Sequence, residues 1–578
     1  MTNRAFDHRF ATVYNDLERF PSIDHVAAEM GVSAKTVANR AGEMRGLAAA
    51  GLDVPELISR VGTGKGVKSP ANDAESDAEG EIEFTKRDLI EPVKYGSRAT
   101  GTRYFILTSA QDESIVHGGF LSNLEAYANW LDDCEIMIAG FTYSKRLFED
   151  HDAASHRVSY HHSIMPYMTN DQVALGEGIL FCGEMNTLPT AKNPLSGFET
   201  YTKDKWGIFP HAKIQLQSIA TAKFARSKQL LTTGCVTLPN YIPKKAGLQA
   251  SFHHQIGAVI VELMDDGTFF CRHLHADGLE PGEGGFYDLD RRVENGIVTT
   301  GHRVEGLTYG DIHHEKLDDT VAKTTWGYDV STGALAWSNS VEGIPLVDFL
   351  RPRFQFFHDL SDFAPRNHHN IKDPHFLFKT HAKGTANVEA ALKGCSTFLN
   401  VADRDFTHSV VVQSNHDNAL LRWLKAADWR DDPENALFYL ETQASYVRQL
   451  SEGVEDPAIF EQVLRSFQDN ALINITFVSE DESFMICGDI ECAMHGHLGA
   501  NGARGNPRQF TRMGSKSNTG HTHSPQIIDG AFVGGVSGSL DMGYNRGLSS
   551  WAHAHIATYE NGTRTILTMM NGRWYAPR

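Results

Sequence analysis

The stretch TYGDIHHEKLD, Thr308 to Asp318, places Asp311 and His313 two residues apart directly after the apolar-leaning run from Val304 to Tyr309. On a strand, residues i and i+2 face the same side, so this spacing predicts that both side chains enter one site at the strand's C-terminal edge. A carboxylate oxygen and an imidazole nitrogen so placed suit a divalent metal. An isolated Asp-x-His is more often a pair of solvated polar residues. The pattern therefore needs companions elsewhere in the chain.

They appear in order along the last half. RFQFFHDLSDF ends a β-rich run with Asp359 and Asp362, and SVVVQSNHDNALL ends a Val-rich strand with Asn415, His416 and Asp417. SFMICGDIECAMHGHLGANG then supplies His495 and His497, and SNTGHTHSP supplies His521 and His523. Each cluster follows, or lies close to, a strand-like run, and loops at the carboxyl ends of strands in an α/β sheet converge on one crevice. Oxygen and nitrogen donors of this kind suit manganese, magnesium, iron or zinc. No cysteine belongs to the clusters, which speaks against a structural zinc site.

This ordered set, D-x-H, D-x-x-D, N-H-D, H and G-H-x-H, resembles the calcineurin-like metallophosphoesterases over roughly residues 300 to 578. The resemblance implies an α/β chain whose C-terminal part is a metallophosphoesterase β-sandwich flanked by helices, carrying two divalent metal ions, with Mn2+ the first expectation and Mg2+, Fe2+ or Zn2+ as alternatives. Carried over residue by residue, it implies that Asp311, His313 and His523 hold one metal, that Asp359 bridges, and that Asn415, His495 and His521 hold the other. His416, positioned by Asp417, would stand beside the leaving group. Either His495 or His497 could be the fourth element's ligand, and His495, first after the strand, is the expected one. Two positions depart from the family's pattern: His358 and Ser414 stand where it usually has glycine. The implied chemistry is two-metal hydrolysis of a phosphate ester.

At 578 residues the chain is long enough for two to four domains, since single cores stop growing near roughly 250 to 300 residues. Residues 1–60 include SIDHVAAEMGVSAKTVANRAGEMR, which reads as a helix, a tight turn and a second helix begun at a Ser cap. In this helix-turn-helix-like domain Ser33, Lys35, Thr36, Asn39 and Arg40 would face a DNA groove. Residues 61–90 are Gly-, Ser- and acid-rich and predict a flexible linker. The GTGKGVKS within them has the wrong spacing for a phosphate-binding loop. Residues 91–300 open with strand, helix and strand patterns and predict an α/β accessory domain, with a hairpin at Asp266-Gly267. Residues 301–578 form the expected phosphoesterase domain, ended by a hairpin through Asn561-Gly562.

No apolar run approaches the roughly 20 residues of a membrane span, and the N-terminus lacks the apolar core of an export signal. The expected location is the cytoplasm, that of the host if the protein is phage-encoded. Seven cysteines without a CxxC pair read as reduced thiols. A net charge of −19 excludes general coating of nucleic acid, so any such contact must be local. The stretch between His497 and Asp529 offers one: it holds no acid but carries Arg504, Arg508, Arg512 and Lys516. An acid-free basic loop ahead of the last metal ligands points to a polyanionic substrate. In broad layout the chain also looks like the pre-early DNA-degrading proteins of T-odd coliphages. The expected function is a metal-dependent DNase acting on phosphodiester bonds, with DNA as substrate, no membrane partner, and self-association into a homo-oligomer. The alternatives are a metallophosphatase acting on monoesters and a non-enzymatic DNA-binding or assembly protein.

Overall fold

The computed structural model describes residues 101–576 except 144–158, 224, 281, 337–342, 368–369 and 468–471. Before residue 101 it describes the helices Arg4–Asn15 and Ile23–Met30, the short strands Ile82–Glu83 and Lys94–Tyr95, and a few single positions. The chain is mixed α/β with several sheets.

The sheet that positions the metal-ligating clusters has six strands, in the order Ile475–Val478, His408–Val412, Phe354–His358, Gly306–Thr308, Ala554–Thr558, Arg564–Thr568. The first four run parallel, so their carboxyl ends share one edge. Asn561 and Gly562 turn the last two into the expected hairpin, with Gly562 at φ +76°. That positive φ is what the Asn-Gly pair is suited to.

Alternation along these strands fills two cores at once. Phe356, Val410 and Val412 pack with Ile486, Ile490 and Cys492 of a second sheet. Phe357 and Val411, between them in sequence, join Leu392, Phe398, Leu420 and Trp423 from the helices on the opposite face. Strands buried on both faces must be apolar at nearly every position, which explains the runs FQFF and SVVV. Each such side chain contributes about 1.5–3 kcal/mol of burial free energy.

The second sheet has ten strands, and half come from each side of residue 300. Gln526–Ile528 pairs antiparallel with Leu216–Ile219, and beyond that junction lie Lys228–Thr232, Trp206–Phe209, Ile179–Cys182 and Gln172–Gly176. Local periodicity marks a strand but not its partner, so this shared sheet could not be read from the sequence. A five-stranded sheet completes the region: Arg103–Gln111 lies parallel to Cys134–Phe141 across the helix Gly118–Leu131. Gly257–Leu263 and Phe269–His275 form the hairpin expected at Asp266-Gly267.

Near the N-terminus Phe10, Tyr14, Val26, Met30, Val37 and Met44 share a small core. Of the residues expected to face a DNA groove, Arg40 is half-buried, while Ser33, Lys35, Thr36 and Asn39 lie outside the described residues, as does almost all of the segment 61–90. Among the described residues no helix is long and apolar enough to cross a membrane.

Candidate metal centre

The strand Gly306–Thr308 ends three residues before Asp311, so the opening pair does not converge by strand alternation. Asp311 is instead held by a single bridge to Val536: its N–H donates to Gly535 O at 3.1 Å, and Ser537 N–H donates to Asp311 O at 2.7 Å. Glycine is required for this approach, because a Cβ on Gly310 would lie 2.7 Å from the Gly535 backbone. His313 then turns into the left-handed region, with its N–H donating to Asp359 O at 2.7 Å, which ties the first loop to the second. Asp359, His521 and His523 also have positive φ, of 44°, 73° and 57°. The left-handed conformation costs an L-residue about 1–2 kcal/mol, and four such residues mark a site where packing over-determines the backbone.

These loops bring their donor atoms together. Asp311 Oδ2 lies 3.0 Å from His523 Nε2, His523 Nε2 lies 3.0 Å from His313 Nε2, and His313 Nε2 lies 3.5 Å from Asp359 Oδ2. On its other side Asp359 Oδ2 is 3.3 Å from His495 Nε2, whose Nδ1 is 3.9 Å from Asp311 Oδ1. Asp359 therefore stands between two groups of donors. The His521 ring centres 5.1 Å from His495, and the His521 backbone N–H donates to Asp311 Oδ2 at 2.8 Å. Asp311, His313, Asp359, His495 and His523 are all buried.

The chemistry of this donor set fits a cation. Asp311 Oδ1, Asn415 Oδ1, both nitrogens of His495 and Nδ1 of His523 are buried without a hydrogen-bond partner, a condition that costs about 1–3 kcal/mol per group if nothing else satisfies it. Metal–ligand bonds of about 2.0–2.2 Å span neighbouring donors at separations like those seen here. The buried His/Asp group could thus hold a metal ion. Burial works against charge on His495, yet Asp359 and Asp311 overcome it and raise the imidazole to about 9. Asp359 is likewise opposed by burial, and His495 and His416 hold its carboxyl well below the usual range.

The chain is 40% identical over 520 residues to Protein A1 of Escherichia phage T5, a match covering 89% of this chain and 88% of that protein. It belongs to the Protein A1 family. No protein-family model and no solved structure matches it. The expected link to a T-odd coliphage protein holds at the level of this family.

In this member of the Protein A1 family, His416 and Asp417 part company. The Asp417 carboxylate accepts Ser361 N–H at 3.0 Å and the Ser414 hydroxyl at 2.7 Å, and burial pushes it up to about 7. Its described hydrogen bonds go to Ser361 and Ser414 rather than to His416. His416 Nδ1 instead faces Asp362, 3.2 Å from its carbonyl and 3.8 Å from its carboxylate. Asp362 in turn meets Lys316 Nζ at 2.7 Å and His313 Nδ1 at 3.3 Å. The Ser414–Asp417 bond also gives a reason for serine at position 414. His358, at the other departure, is fully buried, and burial lowers its imidazole to about 4.

Sequence reasoning missed Glu315, which accepts the Ser361 hydroxyl at 2.9 Å, Asp362 N–H at 2.8 Å and Ala364 N–H at 3.3 Å. It anchors the loop that aims Asp362, and its only signal was its place in the opening stretch. Trp551 was missed as well, and its ring centres 4.2 Å from His523. The His497 ring centres 5.3 Å from His495 and 6.1 Å from His521, and its Nε2 lies 2.9 Å from Glu480 Oε1. Arg504, Arg508, Arg512 and Lys516 are all exposed. Lys516 pairs with Asp489 at 3.0 Å, and Arg508 reaches Asn193 at 3.5 Å. The strand Lys516–Thr519 joins this loop to His521.

Proposed function

We propose that the protein is a two-metal phosphodiesterase of the calcineurin-like metallophosphoesterase superfamily and that its substrate is DNA. The observation that carries this reading is the position of Asp359 Oδ2, 3.5 Å from His313 Nε2 and 3.3 Å from His495 Nε2. One carboxylate oxygen facing donors on both sides is the arrangement a bridging ligand needs. Asp311, His313 and His523 would hold one cation, Asn415, His495 and His521 the other. Divalent cations bound there, manganese foremost, would polarise the phosphoryl oxygens and acidify a water.

The chain's own residues supply the rest. His416 is held through Nδ1 by the Asp362 carbonyl, so as an imidazolium it can pass the Nε2 proton to the leaving oxygen. General acid assistance of this kind typically gives about 10²- to 10⁴-fold. The guanidinium groups of Arg504, Arg508 and Arg512 neutralise phosphates on either side of the cleaved bond, a sequence-independent contact. Their spread over an exposed acid-free loop suits a polymer better than a single phosphate, and membership in a phage protein family suits a host-cytoplasmic DNA substrate.

The test is digestion of linear and supercoiled duplex DNA by the purified protein with manganese or magnesium, with Asp359→Asn as control and a chromogenic phosphomonoester in parallel. Metal-dependent loss of DNA that disappears in the variant is expected. Intact DNA with fast monoester turnover would move the protein to the phosphatase reading.

A further inference from the structure

A recess of about 210 Å³ lies against the segment that carries His523, lined by Ser218, Asn506, Arg508, Thr522, Ser524, Gln526 and three apolar residues, Pro507, Pro525 and Ile528. Thr522 and Ser524 are the immediate chain neighbours of His523. Successive Cα atoms lie about 3.8 Å apart, so two lining residues adjoin a candidate metal ligand along the chain. None of its nine lining residues is acidic, in a chain whose net charge is −19. Two of its hydroxyls are committed, Ser218 donating to Pro525 O at 2.7 Å and Thr522 to Ser524 O at 3.2 Å, while other polar groups keep donors. Asn506 uses its Oδ1 to accept Arg508 N–H at 2.9 Å, which leaves its amide N–H groups uncommitted. Among the described residues, the Arg508 side chain bonds to Asn193, at 3.5 Å. Ser524 and Ser550 share a hydroxyl pair at 2.8 Å that can turn a proton outward.

Resting on the phosphodiesterase reading above, we infer that this recess is a second-phosphate subsite: it receives the phosphate next to the scissile one in a polynucleotide, with the adjoining sugar against Pro507 and Pro525. The guanidinium of Arg508 makes a charge-assisted contact to the non-bridging oxygens, and the Asn506, Gln526 and Ser524 groups complete the shell. The subsite makes the enzyme sense chain continuity. A substrate with one phosphate fills only the metal centre, whereas a strand fills both places, and the binding gained at the second appears in KM. Because the recess reads phosphate and sugar, it carries no base preference.

The experiment compares two substrates of the manganese-loaded full chain: bis(p-nitrophenyl) phosphate, which has one phosphate, and pentathymidylate, which has several. Arg508→Ala is expected to raise KM for pentathymidylate about tenfold more than for the small diester. Gln526→Ala, on the strand Gln526–Ile528 and away from the arginines in the chain, should shift the ratio in the same direction. Equal shifts for both substrates, or no shift for either, would overturn the subsite. If the wild-type protein turns over neither substrate, the phosphodiesterase reading fails separately. Anisotropy of labelled pentathymidylate then reads the recess without turnover: tenfold weaker binding in Arg508→Ala supports the subsite, and unchanged binding overturns it.

Discussion

His416 and Asp417 show how little of a site's wiring follows from adjacency. Their side chains leave a turn in different directions, one toward the donor cluster and Asp362, the other toward Ser361 and Ser414. His416→Ala is expected to retain metal binding by calorimetry while turnover falls about 10²- to 10⁴-fold. Asp417→Asn keeps the size and both hydrogen-bonding positions of a group already near neutrality, so its turnover should stay within a few-fold of wild type. An equal loss in the two variants would return Asp417 to the role of orienting group. The residue types of the site were legible because carboxylates, imidazoles and an amide at strand ends suit few other purposes. The backbone conformations of His313, Asp359, His521 and His523 were not, since nothing in these residue types demands a positive φ. The surrounding packing imposes it.

At the scale of elements, local chemistry was sufficient wherever a turn closed on itself. Asp266-Gly267 and Asn561-Gly562 specify their hairpins with only their neighbours' help. The end of the strand Arg103–Gln111 gives a pH-dependent prediction. Burial, with Glu113 adding to it against a hydrogen bond from Thr142, raises the adjoining Asp112 to about 6. A carboxyl raised on folding is protonated more readily in the folded than in the unfolded chain. Its contribution to stability is therefore present at low pH and is lost as pH rises from about 4 through 6. Asp112→Asn should leave stability unchanged near pH 4 and add about 1–3 kcal/mol above pH 6, read as urea midpoints at both values. A gain of the same size at pH 4 would show that packing, not titration, is responsible.

Across the whole molecule, the ten-stranded sheet makes residues on both sides of position 300 parts of one structure. Other contacts reinforce the junction: Lys213 meets Asp529 at 2.5 Å, Lys223 meets Asp541 at 2.6 Å, and Glu262 accepts Ala576 N–H at 2.7 Å. Glu262 also belongs to a buried ionic group, 2.7 Å from Arg272, which reaches Asp288 at 2.7 Å. Arg272→Met would leave the buried Glu262 carboxylate without its cation and Asp288 with the more distant Arg291, at 3.6 Å. Breaking a buried pair from one side costs about 3–5 kcal/mol, and chemical denaturation should show a loss of that size with the C-terminal segment loosened in hydrogen exchange. A loss below about 1 kcal/mol would mean that water reaches the site freely.

The amino-acid sequence by itself determined the donor types, their order along the chain, the strand that precedes most of them, and the turns that need only a few residues. These are local properties, written in side-chain chemistry and short-range periodicity. The tertiary structure alone decided that Asp362 rather than Asp417 faces His416, that Glu315 anchors the loop between them, and that the expected accessory region supplies half of a sheet used by the metal-ligating loops. His313 and His523 meet at 3.0 Å across 210 residues of chain. Contacts of that separation depend on how the sheets stack and which strand edges pair, and those are set by the burial of the whole core.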